Sequence, residues 1–281
     1  MRTLIRYLSY PLMAGGSAVL LVVLANEGMP YWPLFPLIVA AVIVGVALLE
    51  RFAPFEGSWN RDHGGDTAVD AAHFMVSYLL IQTAVASAFG LRELLPETWN
   101  PWPVDAPMVV QVLLAGAVMD LGLYAMHRAS HAHGLLWRLH AIHHSPERLY
   151  WLNGGRRHPL SALVLAGPGL AVLLALGATP IAVGAWLSFM SVHLAFQHAN
   201  LDYRLGPFRF LLGVAEMHRW HHKREFEDAQ VNFGEVWLIW DHLFGTFHDA
   251  PRSPSSNEIG LNGKAMPERY WAQLRWPFKT P

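Results

Sequence analysis

The sequence predicts an all-α protein, a helical bundle embedded in a membrane with histidine-rich segments at one face. Three observations predict it. Of 281 residues, 53% are hydrophobic and only 15% are charged, where ordinary globular domains run near 25% charged. Six apolar stretches recur along the chain. Histidine is concentrated, with 12 of 16 falling between His127 and His222. The formal net charge of −1 gives no basis for a nucleic-acid partner.

The stretches cover roughly 11–25, 32–49, 68–89, 108–126, 160–176 and 181–196. A hydrocarbon core of about 30 Å needs about 20 helical residues, which the second and fourth supply. The first, fifth and sixth are short, and the third carries Asp70 and His73 at its entrance. The first stretch, behind Arg2 and Arg6, is read as an uncleaved span rather than a signal peptide, because further spans follow directly. With a cytoplasmic N-terminus the outer loops are 26–31, 90–107 and 177–180. Of 20 Lys/Arg, only Arg92 then lies outside. The positive-inside rule thus puts the histidine-rich segments on the cytoplasmic side. The expected organisation is N-terminal transmembrane helices over 1–106, a catalytic domain over 107–250 and a polar C-terminal cytosolic tail over 251–281. No repeat or low-complexity tract interrupts it.

Cysteine is absent, which excludes disulfides, Cys-ligated zinc, iron–sulfur clusters and haem-thiolate chemistry. A metal must then use His, Asp or Glu. At the end of the fourth stretch Asp120, Tyr124, His127 and His131 fall on one helical face. One His-x-x-x-His is weak evidence. It is followed, however, by His140-Ala141-Ile142-His143-His144 and later by His218-Arg219-Trp220-His221-His222. The repeated His-x-x-His-His is not a chance pattern. Eight imidazoles exceed the four or so that one metal takes, so two metals are implied. His193 and His198, at the end of an otherwise apolar stretch, are further ligand candidates. His63, His73, His133, His242 and His248 lack the spacing and are read as non-ligands. Imidazole suits zinc, copper, iron and nickel alike, so the ligands alone do not name the metal.

The three boxes resemble the fatty acid hydroxylase/sterol desaturase superfamily. So do the segments Leu136-Trp137-Arg138-Leu139-His140, His143-His144-Ser145-Pro146-Glu147, Gln197-His198-Ala199-Asn200 and Trp240-Asp241-His242-Leu243-Phe244-Gly245-Thr246-Phe247. They look most like a bacterial branch similar to alkylglycerol monooxygenase, and the likeness runs from Asp120 to Phe247. The resemblance implies a transmembrane stem under a cytosolic di-metal cap, with two iron ions held by eight to ten histidines. Carried over, the ligands are His127, His131, His140, His143, His144, His218, His221 and His222, with His198 and His193. Zinc can replace iron in purified protein, because it binds such sites more tightly than ferrous iron.

An all-imidazole shell is neutral, so carboxylates are expected to accept imidazole N–H bonds around it. Asp120, Glu147, Glu216 and Asp241 are the candidates, and His158 is read as a supporting or structural residue. The implied partners are a lipid-like substrate, O2, the membrane and a separate electron donor. The donor is separate because the chain has no Cys, no His-Pro-Gly-Gly and no Gly-x-Gly-x-x-Gly. Hydroxylation of a C–H bond is the leading reaction. Lipid or sterol desaturation, or carotenoid hydroxylation, would use the same site. A membrane metal transporter would place ligands near mid-membrane, and a haem carrier needs facing axial pairs; the triplets at span ends fit neither well. The expected location is a bacterial inner membrane.

Overall fold

The computed structural model describes residues 1–94, 100–263 and 266–279. Among them the regular structure is helical, and three isolated bridges stand in place of any strand. α1 (Arg2–Tyr10) passes through a π-helical turn (Pro11–Gly15) into α2 (Gly16–Asn26) as one continuous rod. Then come α3 (Leu34–Phe52), α4 (Asp66–Arg92), α5 (Met108–Ala132) and α6 (Gly134–His144). A 3-10 turn (Trp151–Gly155) leads to α7 (Pro159–Leu176) and α8 (Pro180–His198). The short helices α9 (Ala215–His221), α10 (Ile239–Phe244) and α11 (Tyr270–Arg275) complete the cap.

Among the described residues six rods are long and apolar enough to cross a membrane: Arg2–Asn26, α3, α4, α5, α7 and α8. The protein is an integral-membrane helical bundle. The first rod begins well before the apolar stretch that announces it, because Arg2 and Arg6 interrupt hydropathy without interrupting the helix. Leu37, Val44, Leu48, Met75 and Leu79 stand mostly exposed along the rods. In water such a belt would be an association surface; in hydrocarbon it is simply solvated.

α5 is the axis of the bundle, and small residues let its neighbours close on it. A Cβ on Gly122 would lie 2.7 Å from the backbone nitrogen of Gly169 on α7, and one on Gly116 would lie 2.6 Å from the Trp186 ring on α8. This is the close backbone approach that small residues permit between membrane helices. It explains Gly169 within Gly167-Pro168-Gly169, whereas Gly167 faces open space. α7 ends at Gly177, whose φ of 80° is the left-handed cap conformation, and Pro180 then opens α8 at a position that needs no N–H donor.

Loops expected on one side gather at one end. Arg6 pairs with Asp202 and donates its Nε to Asp202 Oδ2 at 3.1 Å. Asp202 N donates to Ala53 O at 2.9 Å, and Arg148 grips Asp66 with two bonds of 2.7 Å. Buried Glu50 accepts from Trp151 N at 2.8 Å and Asn200 N at 2.7 Å, tying α3 to the cap. Buried Asp70 accepts from Arg156 at 2.6 Å and Tyr150 at 2.7 Å, which ties in α4. At the opposite end Arg92 donates to Leu174 O at 2.8 Å. Residues 251–263 and 266–279 are folded onto this cap rather than apart from it: His73 meets Gln273 at 2.8 Å and Arg224 N donates to Glu258 O at 2.7 Å. A topology reporter inserted between Glu56 and Asp62 is therefore expected to read cytoplasmic, and one at Asp105 external. The reverse pattern would overturn the orientation.

Candidate metal centre

α5 delivers His127 and His131 one turn apart, α6 delivers His140, His143 and His144, the last turn of α8 delivers His198, and α9 with its cap residue delivers His218, His221 and His222. The structure brings these nine together in two groups. One holds His127, His131, His140, His144 and His221; the other holds His143, His198, His218 and His222. Within each, the ligand atoms lie within 4.8 Å of one another. The groups adjoin, with the His144 and His222 ring centroids 4.5 Å apart. All nine side chains are buried.

Hydrogen bonding fixes how several rings face. His127 Nδ1 lies 2.8 Å from Phe233 O, His221 Nδ1 2.9 Å from Val231 O, and His143 Nδ1 3.3 Å from Arg156 O. A carbonyl only accepts, so each Nδ1 carries the proton and each Nε2 presents a lone pair. Those three Nε2 atoms are buried without a partner. Other Nε2 atoms crowd each other: His140 to His144 is 3.1 Å, His131 to His144 is 3.2 Å, and both His198 to His218 and His218 to His222 are 3.0 Å. Nitrogens bound to one metal at about 2.0–2.1 Å are about 3 Å apart when they subtend a right angle. Orphaned lone pairs and this spacing fit two metal ions, and no carboxylate belongs to either group.

Burial, with repulsion from neighbouring rings, pushes His140, His143, His144, His218 and His222 well below the ordinary histidine range. Burial does the same to His221. They are therefore neutral near pH 7, the form that ligates. The sign for stability follows. Below about pH 6.5 the unfolded chain takes up protons that the folded site refuses, so stability rises with pH up to that value and is flat above it. Protons also compete with metal for the same nitrogens. Metal content after dialysis is expected to hold at pH 7.5 and fall at pH 5; equal retention at both would contradict this.

The remaining expected residues fall elsewhere. His193 stands outside both groups: its Nδ1 meets the Tyr10 hydroxyl at 2.6 Å and its Nε2 lies 3.3 Å from the Gly213 carbonyl. Asp120 touches no imidazole. It accepts from Val236 N at 2.9 Å, Trp237 N at 3.0 Å and Trp240 Nε1 at 3.1 Å. Asp241 likewise accepts from Phe233 N at 2.8 Å, Gly234 N at 2.9 Å and Thr246 Oγ1 at 2.6 Å. The two carboxylates clamp one loop, and that loop supplies the Phe233 carbonyl that orients His127. Glu147 is solvent-exposed and pairs with Arg224 at 3.2 Å, while Glu216 pairs with Arg204 at 2.5 Å. His158 caps α7 by accepting from Leu160 N at 3.1 Å. Three residues escaped the sequence reading. Asn153 Oδ1 accepts from His198 Nδ1 at 3.2 Å. Buried Glu235 lies 3.9 Å from His127 Nδ1 and takes Arg157 at 2.8 Å.

Arg157 also lines a cavity of about 150 Å³ on the membrane side of the centre, walled by Phe74, Leu123, Leu165, Met190 and Leu194. Gly154 separates it from His198; a Cβ there would sit 3.2 Å from the imidazole. On the other side Trp137 lies 4.9 Å from the His131 ring and 5.4 Å from His144.

The fatty acid hydroxylase family profile matches residues 112–246, the segment that carries all nine clustered histidines. An ornithine lipid hydroxylase of Rhizobium tropici is 36% identical over 253 residues, 87% of this chain and 75% of the relative. The chain belongs to the fatty acid hydroxylase family. It is an oxidoreductase of the O2-using hydroxylase type. Alkylglycerol monooxygenase of Danio rerio is 33% identical over 144 residues, covering 50% of this chain but 30% of that protein. A very-long-chain aldehyde decarbonylase of Oryza sativa is 29% identical over 176 residues, 60% of this chain and 62% of that protein. No solved structure matches the chain.

Proposed function

We propose that this chain hydroxylates the alkyl chain of a polar membrane lipid at the cytoplasmic face of a bacterial inner membrane. It does so with two iron ions, held by the nine clustered histidines, and two electrons from a separate donor protein. The balance is R–H + O2 + two electrons + two protons giving R–OH + H2O. The observation that carries the reading is the pair of adjoining all-histidine groups set against an apolar cavity that faces the membrane. Zinc would fill the same nitrogens in protein purified without iron.

An alkyl C–H bond offers no acid, leaving group or polar handle. Iron held there would supply the oxygen activation that side chains cannot. The protein's own residues do the rest. The carbonyls of Phe233, Val231 and Arg156 hold the His127, His221 and His143 rings with Nε2 turned inward. The apolar walls exclude water, and they place one carbon of the chain beside the centre, which sets the position of attack. Residues 107–250 form the catalytic part, the helices of 1–106 complete the stem, and the described residues of the C-terminal segment, 251–263 and 266–279, brace the cap. The names of the relatives, hydroxylase and monooxygenase, favour oxygen insertion over desaturation.

Lipid profiles of a deletion strain, complemented with the wild type or with His143→Ala, test this. Ornithine lipids and ether lipids are the first classes to inspect. Species gaining one oxygen are expected only with the wild type. Species losing two hydrogens instead would reassign the chain as a desaturase.

A further inference from the structure

A second apolar cavity lies at the opposite end of the bundle from the metal centre, walled by Met29, Tyr31, Val85, Phe89 and Ile181, with a volume near 500 Å³. Its polar groups are few: the Tyr31 hydroxyl donates to Gln82 Oε1 at 3.2 Å, and Trp32 also lines it. The cavity at the metal centre and this outer one share a single wall residue, Leu187 on α8.

The helices on either side run continuously between the two. On α4 the wall residues Phe74, Tyr78 and Ile81 lead into Gln82, Val85 and Phe89, at the three- and four-residue spacing of one helical face. On α8 the wall runs Leu194, Met190, Leu187, Gly184 and Ile181. α4 rests on α7 and the 3-10 turn, and α8 on α3, α5 and the same turn, so the two helices flank a groove without packing extensively on each other. From Phe74 to Phe89 the groove measures about 22 Å at about 1.5 Å per residue. It begins beside Gly154, against the His198 ring.

We propose that the outer cavity is a distal subsite for the substrate's alkyl chain, and that Leu187 is the constriction deciding how much chain extends past the metal centre. This rests on the lipid-hydroxylase reading. The occupant is an alkyl chain because the two cavities share Leu187, α4 and α8 wall both, and their mostly apolar lining spans a length that holds most of an extended long-chain acyl group. Chains that end before Leu187 need only the inner cavity. Longer ones must cross it and fill the outer one. Leu187 thus acts as a specificity residue; it touches the chain far from the reacting carbon.

The test uses the full-length protein in membranes with two variants. Leu187→Trp blocks the constriction. Ala86→Trp fills the outer cavity from an exposed position on α4, so folding is not at stake if the first variant fails to accumulate. Two lipid probes carry a photoreactive group at the chain end, one short-chained and one long-chained. The long probe is expected to label outer-cavity residues such as Met29 or Gln82 in the wild type, and to lose at least tenfold of that labelling in either variant. The long-to-short product ratio is expected to fall at least tenfold in both variants, read within each preparation so that a general loss of activity does not enter the comparison. Unchanged labelling and an unchanged ratio in Ala86→Trp would overturn the distal subsite. Long-probe labelling that follows the expected pattern without any hydroxylated product would keep the subsite and sink the reaction assigned to it.

Discussion

His143→Ala is expected to lower bound iron from two ions per chain to one and to abolish hydroxylation. His143 belongs to the group of four, and its loss leaves His198, His218 and His222. Three imidazoles without a carboxylate are a poor hold for a ferrous ion that prefers more ligands. His221→Ala, by contrast, leaves four imidazoles in its group, so that variant is expected to retain more iron while still turning over slowly. The activity loss in His143→Ala should exceed the roughly 10–100-fold typical of residues that merely support ligands. Iron per chain and product per minute, measured on one anaerobically reconstituted preparation of each variant, give the comparison. Two ions per chain in both variants would end the assignment of these groups as the iron sites.

The asymmetry between His143 and His221 was invisible in the sequence, where both sit in identical boxes. Local geometry was legible. The His-x-x-His-His spacing sets three rings on one turn of helix, and apolar runs mark five of the six rods closely. Pairing was not legible, because it depends on how α5, α6, α8 and α9 cross. His143 parts company with its own neighbours His140 and His144, which join the other group. His193 precedes His198 by five residues, about 140° around a helix at about 100° per residue, so the two rings leave α8 on different faces. What no spacing could supply is the set of groups that orient the rings. Most are backbone carbonyls in segments that lie outside the boxes, one of them, Phe233, far from its ring in sequence. Glu235 and Asn153 belong to no box either, and their roles arise only when the loop after α9 and the turn before α7 fold over the centre.

Asp120 illustrates the same limit and carries the last prediction. Its place on the His127 face suggested a carboxylate gripping an imidazole, yet its oxygens serve Val236 N, Trp237 N and Trp240 Nε1. It therefore acts on the centre through the 233–237 loop. Asp241 holds the other end of that loop by Phe233 N and Gly234 N. In Asp120→Asn one acceptor oxygen becomes an amide that can only donate, and it then faces buried donors, an unfavourable arrangement. The loop should slacken, the Phe233 carbonyl should drift from His127 Nδ1, and turnover should fall about 10–100-fold. Both irons should stay, because His127 is one of five imidazoles in its group. Glu147→Gln, altering a carboxylate that faces solvent, should change nothing. The sharper expectation concerns the pair. Asp120→Asn and Asp241→Asn release the same loop, so the double variant should be about as slow as the worse single one, since residues sharing partners are not additive. Normal turnover in Asp120→Asn would leave it a purely structural tie between α5 and the cap. Effects that multiply in the double variant would mean that the two carboxylates reach the metals by separate routes.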